Sequence, residues 1–250
     1  MTTSLLNSLL RALLRWGAAL VFCLPLRHRS HFWARACGML FPLLLLAQLL
    51  DPLAQSTTLW QQQLLLLVLY ISFFALLGGM IYLCTDINKK GALYCAVWSL
   101  LIAQCAYESW CFLELQFTRY GHPLNMASPW AVLVQLLSGA VFFAAVYILL
   151  ARQLPYKGEY NIGPRQLFSA FFIGILFMVQ AAVLDNARAE HTPLSLTVTI
   201  LIGQFYFITL LYFQSELFKK SAMEKEMSEL NLLYERQRQQ YQVAVSYTHL

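Results

Sequence analysis

Charged side chains are scarce in this chain. Lys, Arg, Asp and Glu make up 12% of its 250 residues, whereas about 25% is usual for a soluble globular domain. Hydrophobic residues make up 59%, and the mean hydropathy is +0.58. This composition indicates an integral membrane protein. In such a protein the net charge of +5 is not a sign of nucleic-acid binding, because Lys and Arg serve to orient the spans. We therefore expect no nucleic-acid partner.

Motifs for catalysis and metal binding are also missing. The sequence contains no P-loop, no H-E-x-x-H, no G-x-S-x-G and no Gly-rich nucleotide motif. Its six cysteines are scattered through apolar stretches without C-x-x-C spacing, as expected of small buried hydrophobes. No pair of histidines has ligand spacing with a carboxylate or Cys. We therefore expect no catalytic residue, metal or cofactor in this chain, and leave open whether it belongs to an enzyme.

Long apolar runs account for most of the sequence, and the loops between them are short. A bilayer core about 30 Å thick needs roughly 20 apolar residues per helix. Six segments meet that length: Phe32–Leu50, Leu64–Cys84, Leu93–Leu113, Trp130–Leu150, Leu167–Leu184 and Leu194–Phe213. They predict an all-α, polytopic membrane helical bundle of six to seven transmembrane helices. No loop is long enough to fold into a separate sensing domain outside the membrane.

The seventh segment, Leu5–Leu26, has two interpretations. Asn7, Ser8, Arg11 and Arg15 fall on one helical face. Each arginine would cost about 2.5–3.5 kcal/mol at the centre of a lipid-facing span, and less near an end. The segment therefore either spans with its arginines near the outer surface, or lies in the interface as an amphipathic helix.

The loops predict the orientation. Basic-rich and basic-poor loops alternate along the chain, and the rich ones lie around residues 27–35, 89–90 and 152–165. The positive-inside rule places these loops, and the C-terminal tail, in the cytoplasm. The N-terminus is outside if the first segment spans and inside if it does not.

Ionisable residues at membrane depth are candidates for a sensing site, because desolvating them is costly. Glu108 lies within the third of the six segments, Leu93–Leu113, and Asp185 stands at the end of the fifth, Leu167–Leu184. The alternative is that both lie at headgroup level. Several glutamines in apolar segments are expected to hydrogen-bond between helices: Gln104, Gln135, Gln180 and Gln204.

Charge replaces the apolar runs from Gln214 to Gln242. This stretch has no Gly or Pro and is rich in strong helix formers. The apolar residues of this stretch form a heptad seam of about three repeats, if the polar Gln237 occupies one of the seam positions. The apolar seam residues are Met223, Met227, Leu230, Tyr234 and Tyr241. The pattern predicts a coiled-coil-like helix that pairs with its copy in a homodimer. The alternative is a solvated helix without a partner.

Three local stretches resemble a known family. They are the basic stretch CLPLRHRSHFWAR after the first segment, YNIGPRQLFSA at 160–170, and MSELNLLYERQRQQYQ at 227–242. With the short-loop, multi-span layout, they resemble the membrane half of bacterial sensor histidine kinases of the GHKL type, which include peptide-pheromone quorum sensors.

This resemblance implies a sensor bundle at 1–213 and a cytoplasmic signalling helix at 214–242. It also implies a following helix with a phosphoacceptor His, then a kinase domain that uses ATP and Mg; neither occurs in this chain. His249 lacks the sequence context of that phosphoacceptor, and the ending VAVSYTHL at 243–250 resembles a truncated, non-native read-through tail. The implied setting is the bacterial plasma membrane, with a peptide or small-molecule signal and a response regulator as partner.

Two other functions stay open at this point. The chain could be a transporter of small molecules or lipids, with charged residues inside the spans lining a path. It could also be a membrane anchor whose tail helix recruits a partner by helix-in-groove contacts.

Overall fold

The computed structural model describes the backbone of residues 2–54, 59–119, 129–153, 155–156, 159–160, 162–187 and 193–248. Side chains are described for most of residues 5–49, 64–119, 129–152, 162–177 and 197–242. The described residues form seven α-helices: α1 Thr2–Cys23, α2 Phe32–Ala54, α3 Leu59–Cys84, α4 Lys89–Arg119, α5 Pro129–Leu149, α6 Pro164–Ala187 and α7 Pro193–Thr248.

Between α5 and α6 the chain forms a short 3₁₀ turn, Ala151–Gln153, and a two-residue antiparallel hairpin. The hairpin pairs β1 (Pro155–Tyr156) with β2 (Glu159–Tyr160). These small elements leave the architecture a helical bundle, so the predicted all-α fold class is confirmed.

Among the described residues, five helical stretches are long and apolar enough to cross a membrane, which fits a membrane protein. They are Phe32–Leu49, Leu67–Cys84, Lys89–Arg119, Pro129–Leu149 and Thr197–Gln242. The apolar part of α6 whose side chains are described, Pro164–Phe177, is shorter. Five of the six to seven predicted spans therefore meet the criterion, and α1, which carries two arginines, is not among them.

Helix α4 is the centre of the bundle. It contacts α1, α3, α5, α6 and α7, and its residues from Gly91 to Ala106 are buried with the exception of Leu93. Gly, Ala, Cys and Ser are frequent along this stretch. Small residues of this kind let helix backbones approach closely in an apolar environment, so α4 can accept neighbours on all its faces.

Helix α1 packs inside the bundle. It contacts α2, α3, α4 and α5, and Leu10, Ala12, Leu14 and Phe22 are buried in these contacts. Of the two interpretations of residues 5–26, the packing favours a helix that belongs to the bundle over one that lies beside it.

The loops at one end of the bundle are joined to each other. The backbone N–H of Arg29 donates to the carbonyl of Cys84 (3.0 Å), and that of Asp86 donates to the carbonyl of Arg27 (3.0 Å). Arg29 Nη2 lies 3.6 Å from Asp86 Oδ1. We call this end, where α1, α3 and α5 finish and α2, α4 and α6 begin, the basic end. The basic stretch after α1 thus fastens the α1–α2 loop to the α3–α4 loop.

Two glycines set the distance between α1 and α5. A Cβ at Gly17 would lie 2.8 Å from Phe143 Cε2, and one at Gly139 would lie 2.8 Å from Leu14 Cδ2. Both distances are far inside van der Waals contact, so a side chain at Gly17 would have to displace the Phe143 ring, and one at Gly139 the end of the Leu14 side chain.

We expect Gly17→Val to destabilise the bundle by about 1–3 kcal/mol, the usual cost of overpacking a core. Gly38→Val is the matched control, because a Cβ at Gly38 has no neighbour within 4 Å. Thermal unfolding in the same detergent measures both variants. Equal melting temperatures for the two would show that α1 and α5 do not approach each other at Gly17.

Candidate functional site

A polar cavity lies inside the apolar bundle, between α1, α3 and α4. Its volume is about 210 Å³. The lining residues are Arg11, Leu14, Arg15, Tyr70, Leu100, Ala103, Gln104 and Tyr107. Arg15 lies eight residues and Arg11 twelve residues before Cys23, the last residue of α1. At about 1.5 Å per residue, these positions lie roughly 12 and 18 Å from the basic end along the axis of α1, so the cavity lies near the middle of that helix.

Arg15 is the least compensated charge in the cavity. Its guanidinium carbon lies 3.9 Å from the centroid of the Phe73 ring. Its Nη1 is enclosed and has no hydrogen-bond partner among the described residues. A cation–π contact of a desolvated arginine stabilises by about 2 kcal/mol, against an insertion cost of about 2.5–3.5 kcal/mol for Arg at the centre of a span. The charge of this half-buried side chain is therefore only partly offset by its surroundings.

Arg11 joins α1 to α4. Its Nη2 donates a hydrogen bond to the hydroxyl of Tyr107 (3.1 Å), and its guanidinium carbon lies 5.0 Å from the centroid of that ring. Hydrogen bonds from a charged donor contribute about 1.5–3 kcal/mol. Arg11 thus has the structural partner that Arg15 Nη1 lacks.

Glu108 lies one turn beyond the cavity on α4. Gln104, which lines the cavity, donates from Nε2 to Glu108 Oε1 at 3.5 Å. Glu108 is 2% exposed, so protein encloses this carboxylate. The predicted sensing residue Glu108 is therefore next to the cavity but not part of its wall. With both arginines charged and Glu108 ionised, the three groups carry a net charge of +1.

The second predicted sensing residue, Asp185, cannot be related to the cavity. Asp185 lies in the last turn of α6, and its side chain is outside the described residues, as is that of Gln180. Gln204 behaves as predicted for the glutamines, because its Nε2 donates across helices to the carbonyl of Cys105 (3.0 Å). Gln104 instead bonds within its own helix, to Glu108.

Phe207 fastens α7 to the rest of the bundle. Its side chain is 1% exposed, and its ring centroid lies 6.0 Å from that of Trp98, 6.0 Å from that of Phe142 and 5.8 Å from that of Phe177. These three partners come from α4, α5 and α6. One aromatic side chain of α7 is therefore surrounded by three helices.

Polar contacts hold α7 on both sides of Phe207. Gln116 Nε2 donates to Thr197 Oγ1 (3.2 Å) towards the start of α7. Gln214 Nε2 donates to Ser169 Oγ (3.2 Å) towards the basic end. Hydrogen bonds between membrane helices contribute about 0.6 kcal/mol on average, so these contacts orient α7 without locking it.

Neighbouring residues of α4 serve the cavity and the α7 contact. Gln104 lines the cavity, while the carbonyl of Cys105 accepts the hydrogen bond from Gln204. The residue of α4 that lines the cavity and the residue that bonds α7 are therefore adjacent, so a displacement of α4 at the cavity would also displace its contact with α7.

Helix α7 continues from the bundle into the charged tail without a break. It runs from Pro193 to Thr248, so residues 213 and 214, the predicted border between bundle and tail, lie within one helix. The predicted seam residues of the tail are all between 62% and 74% exposed: Met223, Met227, Leu230, Tyr234 and Tyr241. The tail thus presents an apolar stripe that no described residue of the same chain covers.

The seam lies opposite the face by which α7 contacts the bundle. Ile200, Phe207 and Gln214 are buried and repeat every seven residues, so they define the bundle-facing stripe. Met223 follows Gln214 by nine residues. At about 100° per residue, nine residues turn a regular helix by about 900°, or two and a half turns. The seam therefore points away from the bundle.

Sequence reasoning missed the cavity. The predicted polar face of α1 comprised Asn7, Ser8, Arg11 and Arg15, and the structure turns Arg11 towards Tyr107 of α4 and Arg15 towards Phe73 of α3. The signal was the complementary polar stripe on α4, where Gln104, Tyr107 and Glu108 share one face at helical spacing. His249 is outside the described residues, and the part of the chain that the structure describes holds no group of three His, Cys, Asp or Glu suited to a metal.

Comparisons with family models, curated proteins and solved structures give no match to this chain.

We expect the two arginines to respond differently to replacement by Met. Arg15→Met should leave stability unchanged or raise it, because it removes a poorly compensated buried charge and keeps an apolar stem of similar length. Arg11→Met should lower stability by about 1–3 kcal/mol, because it removes the hydrogen bond to Tyr107.

Reversible denaturation in mixed micelles measures both changes. A loss for Arg15→Met as large as that for Arg11→Met would contradict the view that Arg15 is poorly compensated.

Proposed function

We propose that this chain is the membrane signal-receiving half of a sensor histidine kinase. One observation carries the proposal: α7 is a single helix that begins inside the bundle and ends in a charged tail with an exposed heptad seam. A helix of this kind can carry a movement from a membrane bundle to a domain beyond it. The kinase domain would be of the GHKL type, as the three local stretches of sequence suggest, and it would supply ATP and Mg binding. The response regulator would be its partner.

The proposed setting is the bacterial plasma membrane with the basic end in the cytoplasm. The loops and the first helical turns at the basic end carry five basic residues: Arg27, Arg29, Arg35, Lys89 and Lys90. Basic residues of this kind are retained on the cytoplasmic side. The contact of Gln214 with Ser169, near the start of α6, supports a tail that leaves the membrane at the basic end, which this proposal assigns to the cytoplasm.

The mechanism follows from the contacts of α4. A signal that binds one bundle state better than another shifts the population towards the first state. A tenfold preference corresponds to about 1.4 kcal/mol, whereas a nearly complete switch from 1:99 to 99:1 needs about 5.5 kcal/mol. In this proposal a small shift of the enclosed helix α4 accompanies the signal, and Gln204 and Phe207 pass it to the more weakly held α7, which makes the larger movement.

A second copy of the chain fits along the seam. Because the seam points away from the bundle, two copies of α7 can meet through their tails while each bundle stays on the outer side of its own helix. A homodimer of this geometry would bring two kinase domains side by side.

Disulfide crosslinking tests the paired tail. In a background without the six native cysteines, single substitutions are made at the seam: Met223→Cys, Met227→Cys, Leu230→Cys and Tyr234→Cys. We expect disulfide dimers on oxidation in native membranes, because facing seam residues come within disulfide range.

Ser228→Cys and Leu232→Cys are the matched controls. Both positions are exposed, but in a regular helix they lie on the side of α7 opposite the seam. Crosslinks at these two positions as strong as at the seam, or none at any of the six, would contradict the dimer.

Sequencing the native gene beyond codon 250 tests the kinase assignment. We expect the reading frame to continue into a helix with a phosphoacceptor His and then into an ATP-binding domain. A stop codon in the native gene directly after the tail would contradict a kinase, and would favour a membrane anchor that recruits a partner through its tail.

A solute carrier is the second candidate, because a polar cavity inside an apolar bundle is what a solute path would use. Solute uptake into vesicles that contain only this chain would favour a carrier over a receptor, because a receptor needs no transport.

A further inference from the structure

We propose that the cavity between α1, α3 and α4 binds the carboxylate of a small organic acid, with Arg15 as its principal donor. This proposal rests on the proposed function only where it names the signal's chemical class; the binding site itself would exist equally in a carrier. It follows from three features of the cavity: an enclosed donor, an excess of positive charge, and a small volume.

The enclosed donor is Nη1 of Arg15. It is buried and has no hydrogen-bond partner among the described residues, and Arg15 is one of the side chains that line the cavity. A guanidinium is a planar fork that matches the two oxygens of a carboxylate. Phe73 covers one face of the guanidinium, so a ligand would have to approach the fork at its edge.

The charge around the cavity also selects an anion. Arg11 and Arg15 both line it, and together with the carboxylate of Glu108, one turn away on α4, the three ionised groups carry a net charge of +1. Two guanidinium groups on one wall repel each other, and the surrounding apolar helices screen that repulsion poorly. An anion in the cavity would offset the remaining positive charge, while a cation would increase it.

The volume limits the size of the ligand. About 210 Å³ is less than the roughly 300–1,000 Å³ of pockets that enclose drug-sized molecules. The cavity has room for a carboxylate on a small body, or for the acidic end of a longer molecule, but not for a whole peptide. Leu14, Leu100 and Ala103 supply apolar surface for the body, and Tyr70 and Tyr107 belong to the same lining.

The test uses the full chain in nanodiscs of phosphatidylcholine, which carries no net charge. The probe is 4-fluorobenzoate, observed by ¹⁹F NMR, and the matched control ligand is the neutral 4-fluorobenzamide. We expect saturable binding of the benzoate and at least tenfold weaker binding of the benzamide, because hydrogen bonds between charged groups are about twice as strong as neutral ones. Equal binding of both, or binding of neither, would overturn the anion site.

Substitutions of Arg15 test whether its guanidinium donates to the bound carboxylate. Arg15→Gln should weaken benzoate binding at least tenfold, and Arg15→Lys should weaken it less, because lysine keeps the charge without the fork. Arg165→Gln is the charge-matched control, since Arg165 is exposed at the start of α6, and it should bind as the wild type does. Unchanged binding in a folded Arg15→Gln variant would overturn the role of Arg15, and the wild-type comparison of the two ligands holds even if that variant does not fold.

A further arm identifies the source of the anion. Nanodiscs that also contain phosphatidic acid or a fatty acid present lipid oxyanions to the same cavity. Competition with 4-fluorobenzoate would support the site and assign its occupant to the bilayer, and undiminished benzoate binding would support a water-soluble acid. Disulfide crosslinking of the tail is measured on separate variants, so loss of the dimer and loss of the anion site can be told apart.

Discussion

The polar face of α1 constrains the rest of the bundle. In an apolar environment a guanidinium costs several kcal/mol unless it meets aromatic rings, hydroxyls or an anion. The bundle supplies these groups on α3 and α4, where Phe73 covers Arg15 and Tyr107 accepts from Arg11. Helix α1 must therefore turn its arginines inward, and α4, which holds the complementary polar stripe, must lie at the centre. Helices α5, α6 and α7 are positioned by their contacts with α4, and α2 packs on α1 and α3.

The sequence was sufficient for the class of fold. Its apolar runs and short loops predicted a helical membrane bundle, and the bounds of α2, α3 and α5 fall close to the predicted segments, because runs of about twenty apolar residues have few alternatives to a helix in lipid. The buried neighbours of Arg15 were not predictable in the same way. Single-helix patterns show that a face is polar, but not which helix will meet it, and that pairing depends on tertiary packing.

The candidate site shows the same division. Glu108 was recognised because a carboxylate at membrane depth is unusual, and the structure encloses it beside the cavity. The cavity itself needs three helices, and its most informative atom, Nη1 of Arg15, is notable only because of what surrounds it. The seam of the tail, in contrast to the cavity, was predictable from the sequence. It is a one-helix pattern, so the sequence alone placed all five apolar residues on a stripe that the structure leaves exposed.

The arrangement of α7 explains why a small change in the cavity could matter beyond the membrane. Helix α7 has a narrow buried stripe, centred on Phe207, and it is otherwise exposed along most of its length. A helix held on one side can tilt or rotate at a lower cost than one enclosed like α4, because fewer packed contacts must be remade. The same helix carries the seam, so a movement of its buried stripe changes how two seams meet. A weakly held helix is therefore better suited to transmission than the rigid centre, while the rigid centre is better suited to holding a buried charge.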